Sequence, residues 1–511
     1  MNLPQSFLDS INSYFNSHPE IPKTGFFESF DLESERGIRL NRLKIKPSDD
    51  IRMVSLVRRG SKISNQADEP EKQKLLLDPI PWNPSGYYIS GAVSGNDPLF
   101  HAGAIYIQEP SAMLPARVLM AEEGDYILDM CAAPGGKATA IAEQIGPDGL
   151  LVANEISNQR AKALMRNIER FGITNAVILN ENPSNLKNAF TSFFDKILID
   201  APCSGEGMFR RDPNATASWL KYGPNSTAQI QEEILEYADA MLKPGGVIVY
   251  STCTFSEIEN EKMISSFIEK HQEYVVVDLS SQIPSVWHNA SGTLPGSMRI
   301  WPHLHRGDGH FCVRLEKTKC RCSAESDNHS LSNEIHARRG KERDPGSTRL
   351  TKSQHEMREA YLEFMKDLLQ ESEYRIFSDR SQRDFKIFGE GFRIHNQPVD
   401  LYRQLKIVKL GLFPGDIKKT TNGLYFNPSH SLALTLSQNM IRTSRFLNMD
   451  YDDTRLLRYL KGETLFLSDS EKEYLDDKCY LVVAVEGLPL GFVQHQNGML
   501  KNLYPQGWRV L

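Results

Sequence analysis

Two cysteines stand in polar turns that each follow an apolar run. In KILIDAPCSGEG (residues 196–207) Asp200 and Cys203 come at the end of the run, and in VIVYSTCTFSEIENE (residues 247–261) Cys253 takes the same place. A buried cysteine is more often a small apolar core residue than a reactive one. Turns of Pro, Ser, Thr and Gly are a poor setting for that role, which points instead to thiol chemistry, with a thiolate as nucleophile. A third segment, CAAPGGK (131–137), follows the run YILDM and precedes ATAIAEQI. Gly135 and Gly136 therefore fall at a strand-to-helix turn, where a ligand can approach bare backbone. Glu155 follows twenty residues after Gly135, where a doubly wound fold places a carboxylate that accepts hydrogen bonds from ribose hydroxyls. Together they imply a nucleoside-containing cofactor. The turn is neither G-x-G-x-x-G nor G-x-x-x-x-G-K-[ST], which removes most support for a nicotinamide or P-loop nucleotide site.

These residues need a scaffold that brings them to one place. Between about 105 and 315 the chain repeats apolar run, turn and amphipathic helix. The strand candidates are YILDMC (126–131), LLVANE (150–155), AVILN (176–180), KILIDA (196–201), GVIVYSTC (246–253) and HFCVRLE (310–316), with helical stretches at Ser157–Phe171 and Thr227–Leu242. Such alternation predicts a parallel, doubly wound sheet, in which the carboxyl ends of neighbouring strands converge on one crevice. Upstream, residues 6–16 have helical periodicity, GIRLNRLKI is a strand candidate, and LLLDPIPWNPSGYYI (75–89) reads as an extended segment laid over the next domain. Residues 46–74 are charged and turn-forming, with no functional reading. Downstream, residues 317–352 carry nine Lys/Arg against five Asp/Glu, the composition of a solvated linker. The rest of the tail contains LKIVKLGLFPGDI and YLVVAVEGLPLGFVQHQNGMLKNLYP, whose Glu-Gly and Asn-Gly pairs mark hairpins of small β-rich modules.

At 511 residues the chain has room for several domains. Apolar residues at 40% and charged residues at 24% exclude fibrous and disordered classes. The net charge of −6 excludes a globally basic coat but not a local basic face. Seven scattered cysteines argue against a secreted disulfide framework, and no apolar run approaches the ~20 residues of a membrane span. The expectation is a soluble cytoplasmic protein.

DMCAAPGGKATAIA, DAPCSGEGMFRRDP and YSTCTFSEIENE together resemble the signature motifs of the Nop/Sun family of S-adenosylmethionine-dependent RNA cytosine-5 methyltransferases, and HAGAIYIQEPSAMLPA resembles the segment before that family's core. LPQSFL, WNPSGYYI, FNPSHSLAL, LLRYLKGETL and GLPLGFVQHQNGMLKNLYP are similar to the bacterial RsmF-type subgroup, which modifies small-subunit ribosomal RNA. The resemblance implies an α/β fold with a Rossmann-like methyltransferase core. It divides the chain into an N-terminal α+β RNA-binding unit (1–104), the core (105–316), a polar basic linker (317–355), an RRM-like module (356–435) and a PUA-like RNA-binding module (436–511).

Carried over position by position, the resemblance implies that Cys131, Ala132, Ala133, Pro134, Gly135, Gly136 and Lys137 wrap S-adenosylmethionine, that Glu155 binds its ribose, and that Arg160 supports it. Asp200 is placed near the methionine end and the target base. Asn182 stands where the family usually has an aspartate against the adenine edge. Cys253 is implied as the nucleophile that adds to carbon 6 of cytosine, Cys203 as the residue assisting product release, and Asp200 and Lys137 as polar partners of the adduct. No metal is expected, the partner is ribosomal RNA or the 30S subunit, and the protein is expected to be monomeric. Arg210 and Arg211, beside the active-site turn, are expected on an RNA-facing basic surface. Truncation after about Leu315 is expected to weaken RNA binding while leaving cofactor affinity intact. The rival readings are a transfer-RNA cytosine-5 methyltransferase, a non-catalytic ribosome-assembly protein, and an amino-group methyltransferase, which would want Asn/Asp-Pro-Pro-aromatic where this chain has Asp200-Ala-Pro-Cys203.

Overall fold

The structure, a computed structural model, describes residues 3–60, 78–89, 93–289, 293–318, 352–388, 391–394, 404–420 and 423–510. Most of the linker expected at 317–355, and part of the charged 46–74 stretch, lie outside these residues. Among the described residues no helix is long and apolar enough to cross a membrane.

The first five apolar runs form the parallel heart of the predicted sheet. They are β4 (Tyr126–Asp129), β5 (Leu150–Asn154), β6 (Ala176–Leu179), β7 (Phe194–Asp200) and β8 (Leu242–Thr252), ordered β8-β7-β4-β5-β6. Alternate residues feed different cores. Ile127, Leu151, Ile178, Leu198 and Val249 pack on one face with helices Gly136–Ala142 and Asn158–Arg170. Leu128, Val152, Val177, Ile197 and Ile248 pack on the other with Pro213–Met241 and Glu261–Lys270. Burial on both faces is why these strands read as near-continuous apolar runs.

The sixth run departs from the expectation. It forms β12 (His310–Lys317), which lies antiparallel to β8. Its direction is set by an antiparallel meander through β10 (Trp287–His288) and β11 (Met298–Ile300), while β9 (Tyr274–Val276) pairs with β12.

The expected unit 1–104 serves two different cores. Helix Gln5–Ser17 buries Phe7, Ile11, Tyr14 and Phe15 among Phe209, Trp219, Phe255 and Trp301 of the methyltransferase core. Separately, β1 (Gly37–Leu40), β2 (Gly86–Tyr88) and β3 (Ile105–Gln108) form a sheet in the order β2-β1-β3, so the boundary at 104 cuts off its third strand. Residues 50–60 of the charged stretch form a helix on this unit. The proline-rich segment, expected to be extended rather than regular, is regular in part, because its GYY becomes β2; Trp82 donates to Pro110 O at 2.8 Å.

The tail departs from the RRM-like expectation for 356–435. Helices Lys352–Leu368 and Glu371–Asp384 are followed by two separate hairpins, β13 (Phe385–Phe388) with β14 (Gly391–Ile394) and β16 (Gly415–Thr420) with β17 (Gly423–Pro428). Between them β15 (Ile407–Leu410) pairs antiparallel with β6 and extends the methyltransferase sheet. No four-stranded RRM sheet forms among the described residues, because the apolar strand of LKIVKLGLFPGDI covers the open edge of the core sheet instead.

The last sheet runs β18-β20-β21-β22-β19, from Phe446–Met449, Leu465–Phe466, Cys479–Val485, Leu488–Gln496 and Met499–Asn502 for β18 to β22. Its hairpins turn at Glu486-Gly487 (φ 51° and 83°) and Asn497-Gly498 (φ 52° and 77°), the paired positive φ of a tight hairpin. One face of this sheet shares a single core with the N-terminal sheet: Ile38, Leu40, Val54 and Tyr87 pack with Leu447, Leu481, Val483 and Tyr504. His101 Nδ1 lies 2.6 Å from the Tyr504 hydroxyl, Tyr451 donates to Asp97 at 2.8 Å, and Lys44 Nζ donates to Ala102 O at 2.7 Å and Arg170 O at 3.1 Å. Burial pushes the Lys44 ammonium down to about 7, with the nearby Arg170 charge adding to the effect.

Candidate active site

The carboxyl ends of β4, β5, β7 and β8 open onto one cavity of about 710 Å3. All thirteen cofactor and catalytic positions inferred from the sequence in Cys131–Lys137, Glu155, Arg160, Asn182, Asp200, Cys203 and Cys253 bear on its construction, and all but Gly135, which supports the turn from behind, line it.

The glycine turn is a cradle that side chains would fill. Gly135 has φ 114°, and a Cβ there would lie 3.1 Å from Leu164 Cδ1; at Gly136 it would meet Gln108 Nε2 at 2.9 Å. Beside the cradle, Glu155 Oε1 accepts from Ser157 N–H at 2.9 Å while Oε2 lies 3.3 Å from Arg160. Arg160 also donates to Ala133 O at 2.8 Å, so it joins the carboxylate to the cradle. Asn182 is differently employed. Its side-chain oxygen accepts from Ser184 N–H at 3.0 Å and from the Ser184 hydroxyl at 2.9 Å, capping helix Pro183–Ala189. Both lone pairs of that carbonyl are thus engaged locally. Exposed Ile156 and Pro183 add an apolar wall that the sequence reading did not single out.

β7 and β8 are parallel neighbours with Asp200 opposite Ser251, and this register brings the two cysteine turns together. Cys203 Sγ lies 3.4 Å from Cys253 Sγ. The hydrogen bond with Cys253, reinforced by burial, pushes the Cys203 thiol well above its ordinary range. Either sulfur can donate at this separation, and a Cys203 thiol that keeps its proton is able to donate to Cys253. Lys137 Nζ donates to Asp200 Oδ2 at 2.7 Å, Ser251 Oγ donates to Oδ1 at 2.9 Å, and His310 Nε2 stands 3.5 Å from Oδ1. Burial opposes ionisation of Asp200, but the Lys137 charge and His310 outweigh it and hold the carboxyl well below the usual carboxylate range. Burial likewise opposes the charge on Lys137, and Asp200 restores it.

Among the cavity residues that the sequence reading did not single out, Asp129 bears most directly on a ligand. Asp129 closes β4, is fully buried, and neither carboxylate oxygen has a hydrogen-bond partner among the described residues. Burial pushes its carboxyl up to about 7 against the pull of Lys137. A buried carboxylate without partners is costly, so its position marks where a cationic or donating ligand group would be welcome. The only signal in the sequence was an acid ending an apolar run directly before the glycine turn.

Arg210 corrects the expected basic surface. Its guanidinium is buried, donating to Asp308 Oδ1 at 2.5 Å and to Gly307 O at 2.8 Å, and so serves the fold. Arg211 remains half-exposed at the cavity mouth.

Comparison with known proteins agrees with this architecture. A family profile described as 16S rRNA methyltransferase RsmB/F matches residues 116–316; the N-terminal domain of 16S rRNA methyltransferase RsmF matches 53–110, and the methyltransferase RsmF PUA domain matches 446–510. The chain is 35% identical to ribosomal RNA small subunit methyltransferase F of Aeromonas salmonicida over 62% of its own length and 64% of the relative's, just under two thirds of that protein. It is 28% identical to the protein of the same description from Shewanella piezotolerans over 98% of this chain and 96% of the other. The crystal structure of PH0851 superposes with a TM-score of 0.52 at 28% identity, covering 62% of this chain and 66% of that one. The three domain matches fall in order along one chain that aligns end to end with such a relative, so this chain is similar to the RsmB/F methyltransferases through its core and to the RsmF type in its N-terminal and PUA domains.

Proposed function

We propose that the protein transfers a methyl group from S-adenosylmethionine to carbon 5 of a cytosine in small-subunit ribosomal RNA. The observation that carries this reading is the Cys203–Cys253 sulfur pair at 3.4 Å beside the Lys137–Asp200 pair, in a chain similar to the RsmB/F rRNA methyltransferases. The cradle of Cys131–Lys137, the Glu155 carboxylate and the unpartnered Asp129 suit a ligand that is nucleoside at one end and cationic amino acid at the other. S-adenosylmethionine supplies an electrophilic methyl group there.

Cytosine carbon 5 is a weak nucleophile, and covalent addition of a thiolate at carbon 6 pushes an electron pair onto it. Cys253 Sγ forms that bond. Asp200, kept ionised by Lys137, accepts a hydrogen bond from the base's amino group and orients the ring. After transfer, the C5–H pair becomes the C5=C6 double bond, the proton passes to water, and the C6–S pair leaves on Cys253 as thiolate. The Cys203 S–H, within 3.4 Å of that sulfur, stabilises it as it leaves.

Bisulfite sequencing of total RNA from cells with and without the gene should show loss of protection at cytosine in small-subunit ribosomal RNA alone. Loss confined to transfer RNA, or none, overturns the reading.

Two further results concern the cofactor. Glu155→Ala should weaken S-adenosylmethionine binding about tenfold or more in calorimetric titration, since charge-assisted hydrogen bonds of this kind contribute roughly 1.5–3 kcal/mol; equal affinities would remove the ribose role. Asp129 introduces a pH dependence. Below about 7 its carboxyl holds a proton that a cationic ligand group must displace, so affinity should rise with pH and level off above 7. Binding about tenfold weaker at pH 6 than at pH 8 is expected, and Asp129→Asn should flatten the profile. A flat wild-type profile would exclude contact between Asp129 and the ligand's cation.

A further inference from the structure

The two sulfurs hang from separate loops, and two buried glutamates cross between those loops in opposite directions. Glu206, three residues past Cys203, accepts from the Phe255 N–H on the Cys253 loop at 2.9 Å and from the Trp219 indole N–H at 3.0 Å. Glu259, six residues past Cys253, reaches back to the Cys203 loop. It accepts from the Ser204 N–H at 2.9 Å and the Ser204 hydroxyl at 2.5 Å. Thr227 at 2.5 Å and Gln231 at 3.1 Å complete its donors, and Gln231 also donates to Pro202 O at 2.9 Å. Shorter links join the same loops: Gly207 N–H donates to Cys253 O at 2.9 Å, and the Ser204 and Thr254 hydroxyls lie 2.8 Å apart.

Neither glutamate touches substrate space, since neither lines the cavity. Both are buried, at 2% and 0% exposure, and no ion pair reaches either among the described residues. Burying a carboxylate without a cation is tolerable only when donors satisfy it. Here every such donor of Glu259 lies on the Cys203 loop or on the helix behind it.

We propose that Glu206 and Glu259 form a reciprocal clamp, two positioning residues that fix Cys203 Sγ against Cys253 Sγ so that release of the methylated base keeps pace with its formation. The inference rests on Cys253 as nucleophile and Cys203 as release partner. Addition needs only the Cys253 sulfur against the base, whereas release needs the Cys203 S–H aimed at that sulfur. A shift of about 1 Å between the loops is enough to cost on the order of a hundredfold in such a step. Replacing Glu259 by Gln puts an N–H2 donor opposite the Ser204, Thr227 and Gln231 donors and loosens the Cys203 loop without removing either sulfur.

Wild type, Glu259→Gln and Cys203→Ala are each incubated with small-subunit ribosomal RNA, free and as 30S subunits, and with labelled S-adenosylmethionine. Protein–RNA adducts are resolved by denaturing electrophoresis beside steady-state rates. Glu259→Gln should keep KM for both substrates within about twofold, lose at least about tenfold in kcat, and accumulate adduct as Cys203→Ala does. A merely structural role would lower Tm without accumulating adduct. Adduct in Cys203→Ala but not in Glu259→Gln overturns the clamp, and no adduct in Cys203→Ala overturns the assignment beneath it. If Glu259→Gln does not fold, Thr227→Val removes one donor from a half-buried position; wild-type kcat and adduct level there would equally overturn the clamp.

Discussion

Cys253→Ala is expected to bind cofactor normally and to yield neither methylated RNA nor a covalent complex, while Cys203→Ala is expected to trap RNA as an adduct that survives denaturing electrophoresis. The asymmetry follows from the pair's geometry. The sulfurs are 3.4 Å apart, and the hydrogen bond with Cys253, reinforced by burial, pushes the Cys203 thiol well above its ordinary range. Removing Cys253 removes the atom that bonds to carbon 6, and loss of an attacking group lowers turnover by on the order of a thousandfold or more. Removing Cys203 leaves addition and transfer possible but withdraws the S–H that receives the departing sulfur. An adduct from Cys253→Ala but not from Cys203→Ala would exchange the two roles. Methylation by both variants with no adduct from either would exclude the covalent route.

The second large effect concerns the tail. A chain ending after Leu315 should fail to give a folded protein, and so should bind neither RNA nor cofactor. The N-terminal sheet has no closed core of its own: Ile38, Leu40, Val54, Tyr87 and Ile105 are covered by residues from Leu447 onward. Uncovering large apolar side chains costs about 1.5–3 kcal/mol each, and five of them reach the ~5–15 kcal/mol by which a domain is stable at all. The same cut removes β15 from the edge of β6, where Asn180 N–H donates to Lys406 O and Lys406 N–H donates to Glu181. Thermal unfolding and gel filtration check this. A monomeric, cooperatively melting truncation with unchanged cofactor affinity would show that the shared core is dispensable, which was the expectation from sequence.

The shared core was not legible in the sequence, for a physical reason. The chemistry-bearing segments are local: a strand, a turn and the residue after it suffice to recognise the glycine cradle, Glu155 and the two cysteine loops. The parallel character of the sheet of β4 to β8, though not its strand order, was legible because burial on both faces leaves unbroken apolar runs. What pairs over long range was not. Nothing about Arg210 announces that its partner is Asp308 rather than RNA phosphate, and nothing in LKIVKLGLFPGDI distinguishes an edge strand of a distant sheet from a strand of its own module. Asp129 was hidden differently. It reads as the polar end of a core strand, and only its burial with no hydrogen-bond partner on either oxygen among the described residues makes it conspicuous.

The core shared by the first and last sheets also has a consequence in time. The contact between His101 and Tyr504 closes a loop of 403 residues, so the N-terminal apolar face waits for its cover until Tyr504 has been translated. At roughly 5–20 residues per second, that interval is about 20–80 s. An exposed apolar sheet is prone to self-association over such a period, so the first hundred residues of the nascent chain are its vulnerable part until the last sheet emerges.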